Sequence, residues 1–306
     1  MRLLALIPAL ALVSSLPEIA LSQGLADSLA QPPRWVTPDV QAPGVHQGTL
    51  QSEAAGAAVS YFVLTPPEYD TEPERRFPVI YWLHGSGGPM GCIRLMSEHF
   101  RAAMRDGKMP PAIVVFPNGL ALGMWVDSKN GMVPMETIVI RELIPHIDAT
   151  YRTIASRAGR IIEGFSMGGY GAARFGLKHP DLFCAVSAMG AGPMQRVFDH
   201  APRITEHKRE IVLESVFGGD QDYFAEVSPW VLAEQNAEAV RGKILFRLAI
   251  GELDETLPAN VAFHQHLERL RIPHTFTVVP GVRHDTLALR NGLGDATWEF
   301  YRQALH

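Results

Sequence analysis

The sequence predicts a doubly wound α/β domain, in which a mostly parallel β-sheet is covered by helices on both faces. Short runs rich in β-branched and aromatic residues alternate along the chain with longer stretches of helical periodicity. Such alternation favours parallel strands joined by crossover helices. The chain has 306 residues, 47% of them hydrophobic, and is therefore long enough to bury one large core.

Seven runs are predicted to be strands and five longer segments are predicted to be helices. The strands are 59–64, 79–83, 112–116, 160–164, 183–188, 244–250 and 275–279. The helices are 93–105, 136–150, 167–178, 259–271 and 295–305. The segment 194–241, between the fifth and sixth strands, is longer than a crossover requires and contains five aromatic residues. We therefore expect a helical cap-like insertion over the functional site.

The amino-terminal segment differs in composition from the rest of the chain. One basic residue precedes the apolar run 3–13, and small residues follow at 20–22. This pattern predicts a signal peptide over 1–22, with an ordinary helix packed on the domain as the alternative. A linker and first edge strand are expected over 23–57 and a catalytic domain over 58–306. The protein is thus predicted to be secreted or periplasmic, without a membrane span after cleavage.

Charge and cysteine content limit the partners. The 27 Lys and Arg residues stand against 32 acidic residues, so the net charge is −5, and no basic run indicates a nucleic-acid partner. The two cysteines, Cys92 and Cys184, could form a disulfide in an exported protein or remain buried thiols. No pattern of residues indicates a metal or a cofactor, and none defines an oligomeric state.

A nucleophile is predicted where the fourth strand ends. The sequence Gly-Phe-Ser-Met-Gly-Gly spans 164–169 and joins that strand directly to the third predicted helix. This is the strand–turn–helix context in which a GxSxG serine is exposed in a strained turn. Side chains at Gly164 or Gly168 would collide with neighbouring backbone, which explains both glycines. Ser166 is therefore the candidate nucleophile, with tight helix–strand packing as the alternative reading.

A serine nucleophile needs a base, and a histidine and an aspartate follow two later strands. Asp254 follows the run 244–250, and His284 follows the run 275–279, which gives the chain order Ser, Asp, His. His284 would accept the serine proton, and Asp254 would orient the imidazole. Asp254 could instead cap a helix, and Glu252 or Asp285 could orient His284 in its place.

An oxyanion hole requires two amide donors. One is expected to be the backbone amide of Met167, directly after the nucleophile. The second is expected from the glycine-rich loop 84–88, where Gly85 and Gly87 let the backbone turn its amides inward. A glycine-rich loop without a catalytic part is the alternative. His84 is expected to shape this turn rather than to act as a second base.

These motifs resemble the esterase D-like branch of the α/β-hydrolases, which includes feruloyl esterases, S-formylglutathione hydrolases, siderophore esterases and mycolyltransferases. The likeness extends from residue 59 to the carboxyl terminus. The motifs that carry it are 83–85, 136–151, 164–171, 181–183, 251–254 and 280–285. The resemblance implies an α/β-hydrolase fold, a triad of Ser166, Asp254 and His284, and oxyanion donors at Met167 and Ser86.

Several residues near these motifs remain open. Trp125 could line an acyl or aryl pocket together with Gly85 and Gly87, or it could pack in the core. Arg283 stands where the family often has glycine, and it could meet a substrate carboxylate or lie at the surface. Glu163 is unexpected on a buried strand and calls for a buried partner.

The sequence and the resemblance together predict a secreted serine carboxylic ester hydrolase that forms an acyl-serine intermediate. Its substrate is expected to be a small-molecule or glycan-linked ester. An acyltransferase with the same triad is one alternative, because pocket exclusion of water decides which alcohol attacks the acyl-enzyme. A catalytically silent relative that binds a glycan or peptide is the other.

Overall fold

Eight strands form one sheet in the part of the chain that the computed structural model describes, residues 33–88 and 90–305, with Met90 described by its backbone alone. The strands are β1 (Val45–Ser52), β2 (Ala57–Leu64), β3 (Val79–Leu83), β4 (Ile113–Pro117), β5 (Arg160–Phe165), β6 (Ala185–Met189), β7 (Leu245–Gly251) and β8 (Thr275–Val279). Their order in the sheet is β1-β2-β4-β3-β5-β6-β7-β8. β2 is antiparallel to β1 and β4, and the remaining neighbours are parallel.

Helices cover both faces of this sheet. They are α1 (Met90–Arg105), α2 (Met135–Thr137), α3 (Ile144–Thr150), α4 (Met167–Lys178), α5 (Glu206–Phe217), α6 (Gln221–Glu226), α7 (Pro229–Val240), α8 (Leu257–Arg269), α9 (Thr286–Leu293) and α10 (Ala296–Ala304). A π-helical stretch, Ile138–Leu143, joins α2 to α3. Short 3-10 turns lie at Pro67–Tyr69 and Arg157–Gly159.

The central strands are mostly apolar on both faces because each face is covered. In β3, for example, all five side chains are buried. Tyr81 belongs to the larger core, which includes residues of α2, α3, α4, α7 and α8. Ile80 and Trp82, on the opposite face, belong to a second core with residues of α1 and α10. Strands buried on both faces are typical of parallel sheets, and the predicted α/β class is confirmed.

The predicted cap-like insertion consists of α5, α6 and α7, and the name cap is used below for residues 194–241. Local capping residues determine where these helices begin. The Thr205 hydroxyl accepts from the amide of Lys208 at the start of α5. The Asp220 and Ser228 side chains accept backbone amides in the same way at the starts of α6 and α7. The starts of all three helices of the cap are therefore fixed by side chains of the cap itself.

The ends of the chain differ in part from the sequence expectations. The predicted signal peptide 1–22 lies outside the described residues, as does 23–32 of the predicted linker. The expected edge strand in 23–57 is β1, which pairs with β2 along its whole length. Near the carboxyl terminus, α9 precedes the predicted final helix and was not expected. Asp285 caps it by accepting the amide of Ala288.

The described residues contain neither a membrane-spanning helix nor a disulfide nor a metal-binding group. Within 33–88 and 90–305, no helix combines the length and apolar character needed to cross a bilayer. No disulfide joins Cys92 to Cys184 in this part of the chain, and the Cys184 thiol donates to the carbonyl of Arg160. No group of three or more His, Cys, Asp or Glu side chains among these residues could hold a metal ion.

Candidate active site

Ser166 occupies the sharp turn between β5 and α4, with a φ of 60° and a ψ of −123°. A positive φ is costly for a residue with a side chain, so the surrounding structure must hold it. The amide of Ser166 donates to the carbonyl of Met189, 3.0 Å away. A Cβ at Gly164 would lie 2.3 Å from the backbone of Gly168, and one at Gly168 would lie 1.9 Å from the Leu83 carbonyl oxygen. The glycines are therefore required by the elbow, as the sequence predicted.

The structure brings Ser166, His284 and Asp254 into one hydrogen-bonded chain. His284 Nε2 lies 2.9 Å from Ser166 Oγ, and His284 Nδ1 lies 2.7 Å from Asp254 Oδ2. Because a carboxylate can only accept, Nδ1 carries a proton. In the neutral imidazole, Nε2 then accepts from the serine hydroxyl. This is the arrangement in which imidazole can take a proton from serine.

Asp254 is fixed by bonds of its own. Its Oδ1 accepts from the amide and the hydroxyl of Thr256, at 2.9 and 2.8 Å. Burial alone would raise the pKa of Asp254, but the bonds from His284 and Thr256 outweigh it and lower the pKa below its ordinary value. The carboxyl group is therefore ionised at neutral pH. Thr256 was not identified from the sequence, although its position two residues after Asp254 is typical of such a turn.

The two other carboxylates considered for orienting His284 have different partners. Glu252 accepts from the amide of Gly281 at 2.9 Å, which ties the end of β7 to the turn after β8. Asp285 caps α9 through the amide of Ala288 at 2.7 Å. Both residues thus shape the loops around His284, whose Nδ1 is paired with Asp254.

The loop after β3 lies against the serine. A Cβ at Gly85 would lie 3.1 Å from Ser166 Cβ, so a side chain there would press on the serine. Gly85, Ser86 and Met167 line the same cavity as Ser166. Met167 is the first residue of α4, where helix amides have no partner within the helix. The expected oxyanion donors therefore lie at the same cavity as the serine.

His84 holds the glycine-rich loop, as the sequence suggested. Its Nδ1 donates to the carbonyl of Gly85 at 2.7 Å, and its Nε2 accepts from the amide of Gly119 at 2.9 Å. Burial lowers the pKa of His84 to about 4, despite the opposing bond to Gly85. The ring is therefore neutral and joins the loop after β3 to the loop after β4.

Of the two roles that the sequence leaves open for Trp125, the structure favours packing in the core, since the residue is not part of the cavity lining. Trp125 is fully buried, and its Nε1 donates to the carbonyl of His84 at 3.2 Å. A Cβ added at Gly119 or Gly171 would lie within 2.5 Å of the indole. The indole ring thus packs in the core and supports loop 84–88 through its bond to His84. Gly87, also expected at the pocket, donates its amide to the carbonyl of Ala121 instead of lining the cavity.

A cavity of about 420 Å³ lies between the cap and the residues Ser166 and His284, and this volume is within the size range of ligand sites. Its apolar walls come from the sheet, from the loop after β4 and from the cap. They include Trp82, Leu122, Met124, Phe165, Phe198 and Val212. Among the described lining residues, Arg203 carries the only permanent charge. Arg283 is exposed and lies outside this lining.

The strand order and the position of Ser166 at the carboxyl ends of the strands define the class of protein. The chain has the α/β-hydrolase fold, with a Ser–His–Asp constellation at the edge of the sheet where such sites lie.

The chain belongs to the family described as "Putative esterase", which matches residues 52–306. An esterase of Mycobacterium tuberculosis is 30% identical in an alignment of 257 residues that covers 76% of this chain and 54% of that protein. The chain thus spans about half the length of that relative. A solved ferulic acid esterase is 27% identical with a TM-score of 0.69, over 84% of this chain and 97% of that one. An S-formylglutathione hydrolase from Agrobacterium tumefaciens, 22% identical with a TM-score of 0.67 over 88% and 99%, shares the fold.

Proposed function

We propose that the chain is a carboxylic ester hydrolase that acts through an acyl-serine intermediate at Ser166. The observation that carries the proposal is the hydrogen-bonded chain from Ser166 Oγ through His284 to Asp254. Membership of an esterase family and the names of the relatives support the same reaction.

In the first half of the reaction, His284 Nε2 takes the proton of Ser166 Oγ as the oxygen attacks the ester carbonyl. Asp254 stabilises the imidazolium that forms and keeps its ring in position. The oxyanion accepts from the backbone amides of Met167 and Ser86, aided by the amino-terminal end of α4. Collapse of the tetrahedral intermediate expels the alcohol, which receives the proton from His284. Water then repeats the sequence on the acyl-serine and releases the acid.

The substrate is proposed to be a small-molecule or glycan-linked ester with an apolar acyl or aryl part. Support comes from the apolar walls of the cavity and from its volume of about 420 Å³, which would bury a group of that kind. One relative is named a ferulic acid esterase, and its substrate contains such an aryl group.

We also propose that the protein is exported to the periplasm or secreted. The basis is the sequence pattern of residues 1–22 described above. Mass spectrometry of the protein recovered from periplasmic and extracellular fractions tests this proposal. A mature chain that begins near residue 23 is expected, and a cytoplasmic protein that retains residues 1–22 would contradict it.

Substitution of the serine tests the reaction. Ser166→Ala removes the nucleophile and is expected to lower kcat/KM on short-chain aryl esters by about 10⁴-fold or more. Thermal unfolding of the variant should match that of the parent, because only one hydroxyl is lost. Ser97→Ala, which removes a hydroxyl that donates to the carbonyl of Arg94 on α1, is the control and should keep full activity.

Equal turnover by the parent and Ser166→Ala would refute the proposal. A parent protein that binds ester analogues without hydrolysing any ester would support the silent relative instead. An added sugar or alcohol acceptor separates hydrolysis from acyl transfer. A hydrolase yields the free acid, whereas a transferase yields the ester of the acceptor.

A further inference from the structure

A buried carboxylate on β5 contacts three separate parts of the fold. Glu163 has no solvent exposure. Its Oε1 accepts from Arg290 Nη1 on α9, and its Oε2 accepts from Arg247 Nη2 on β7 at 3.2 Å. Tyr301 Oη on α10 donates to the same oxygen at 2.6 Å. Burial alone would raise the pKa of Glu163, but Arg290 and Arg247 outweigh it and lower the pKa, so the group is ionised.

Glu163 and its two arginine partners lie on the strands and the helix that lead to or follow Ser166, Asp254 and His284. Glu163 lies three residues before Ser166 on the strand that ends at the elbow. Arg247 lies on β7, after which the chain continues to Asp254, and Arg290 lies on α9, which begins two residues after His284. One carboxylate therefore joins the supports of all three triad side chains.

The register of the sheet explains how one carboxylate reaches so far. Glu163 on β5 pairs with Ser187 on β6, and Ser187 pairs with Arg247 on β7. The three residues form a row across adjacent strands. Arg247 Nε donates to the Ser187 hydroxyl at 3.1 Å while its Nη2 reaches Glu163. The row thus crosses β6 and connects the strand of the nucleophile to the strand of the acid.

Stability alone is a weak explanation for this cluster. Removing charges from water is costly, and apolar side chains of similar volume often stabilise a core as well or better. Apolar contacts, however, are not directional and allow small displacements. Charge-assisted hydrogen bonds define both distance and angle. A site whose reacting side chains must be aligned within a fraction of an ångström is therefore better supported by charge-assisted hydrogen bonds than by apolar contacts.

We propose that Glu163 is a positioning residue, which through Arg247 and Arg290 holds the supports of Ser166, Asp254 and His284 at the separations that the reaction needs. The proposal rests on the proposed function, since the positions matter for transfer of the serine proton. Glu163 contacts neither the substrate nor the reacting atoms.

Glu163→Gln tests the proposal because it keeps the shape and removes the charge. We expect kcat to fall roughly 10- to 100-fold with little change in KM, as for a small misplacement of the triad. The far-downfield proton resonance of His284 Nδ1, assigned by its loss in Asp254→Asn, should shift or broaden. This spectroscopic readout does not depend on turnover.

The matched control is Asp148→Asn on α3, which removes a charge that pairs with the opposite end of the same strand. Asp148 forms an ion pair with Arg160, the first residue of β5, and both side chains are largely buried. Its loss should lower the melting temperature but leave kcat within twofold and the His284 resonance unchanged. A cluster with a merely structural role would give the same result for both variants.

Two further variants keep the proposal testable if Glu163→Gln does not fold. The triple variant Glu163→Leu, Arg247→Met and Arg290→Met removes all three charges of this cluster. It should fold, but its kcat should be lower than that of the parent. Tyr301→Phe removes one bond to Glu163 and should produce a smaller change in the same direction. Parental kcat and an unshifted resonance in the variants that fold would overturn the proposal. Lack of ester hydrolysis by the parent would instead refute the proposed function, and the resonance would still test the positioning.

Discussion

The two sides of the cavity are held in different ways. The side formed by Ser166, Asp254, His284 and loop 84–88 is here called the floor. It is fixed by hydrogen bonds between loops that follow neighbouring strands, and by a bond that holds Asp254 within its own turn. The cap is attached to the rest of the domain in part through exposed ion pairs. Arg203 and Glu255 in one such pair have side chains that are 38% and 45% exposed.

The cap contains a group of aromatic residues that belongs to the larger core of the domain. Phe198 stacks on Phe224 at a centroid distance of 5.1 Å, and Phe217 packs edge-on against both. Buried Arg174 on α4 ties this unit to the domain by donating to the carbonyl of Val227. Since exposed pairs contribute about 0–1 kcal/mol each, residues at the rim of the cap can change at little cost. Under the proposed function, the floor would determine the chemistry, and the cap is where selectivity can vary.

After Ser166→Ala, the largest effect is expected from a second change in the floor. Asp254→Asn keeps the size of the side chain but removes the charge that stabilises the imidazolium and selects the tautomer of His284. We expect kcat to fall by about 10³- to 10⁴-fold with a smaller change in KM. Steady-state kinetics on an aryl ester measure both quantities.

Glu252→Gln is the matched control for that substitution. It removes a carboxylate near the same loop, whose partner is the Gly281 amide rather than the imidazole. Activity within a few-fold of the parent is expected. If the two variants lost activity to the same extent, Asp254 would have no special part in the reaction.

Much of the floor could be predicted from the sequence because its signals are local. The elbow glycines around Ser166 are required by contacts within five residues and with one neighbouring strand end. Asp254 and His284 follow apolar strands directly, so the parallel topology was enough to place them at the same edge of the sheet. The helix that joins these two strands was predicted for the same reason, whereas α9, which follows His284, has no counterpart among the predicted helices.

The remaining features depend on contacts distant in sequence. The partners of Glu163 lie 84, 127 and 138 residues away, and no local pattern reveals them. Trp125 was placed in the pocket or the core with equal justification, since an aromatic residue in a loop suits both. Its burial depends on the close approach of Gly119 and Gly171. Strand β1, which is mostly polar, is defined by its pairing with β2 rather than by its composition.

A second prediction concerns the pH dependence of the floor. Burial lowers the pKa of His84 to about 4, whereas an exposed histidine titrates near 6.5. As pH falls from about 6.5 to 4, the unfolded chain therefore binds a proton that the folded chain excludes. The free energy of unfolding should decrease by up to about 3 kcal/mol over this range because of this residue. Chemical denaturation at several pH values measures it.

His84→Gln should reduce the slope of that curve, by up to about 1.4 kcal/mol per pH unit. Trp125→Phe is the control, because it removes the donor to the His84 carbonyl and weakens the same loop without removing a titrating group. Its curve should be lower than that of the parent but parallel to it. Equal slopes in the parent and His84→Gln would show that His84 does not cause the acid sensitivity.

The smallest effect is expected at the rim of the cap. Arg203 lines the cavity, and its Nη1 donates to Glu255 at 2.6 Å. The other guanidinium donors can meet a carboxylate on the substrate. Arg203→Gln should therefore lower kcat/KM for an aryl hemisuccinate by about three- to tenfold, while an aryl butyrate is hydrolysed as by the parent.

Arg196→Gln is matched to this change in charge and position along the chain. Arg196 also lies in the cap and pairs with a glutamate, Glu234, but it does not line the cavity. If the long-range field of the cap determines the preference, both variants lose the same amount on the charged ester. If Arg203 contacts the substrate, only Arg203→Gln lowers kcat/KM on the charged ester, and this loss becomes smaller as salt is added. If Arg203→Gln also lost activity on the neutral ester, the bond from Arg203 to Glu255, the neighbour of Asp254, would support the floor. The floor and the cap would then not be independent at this position.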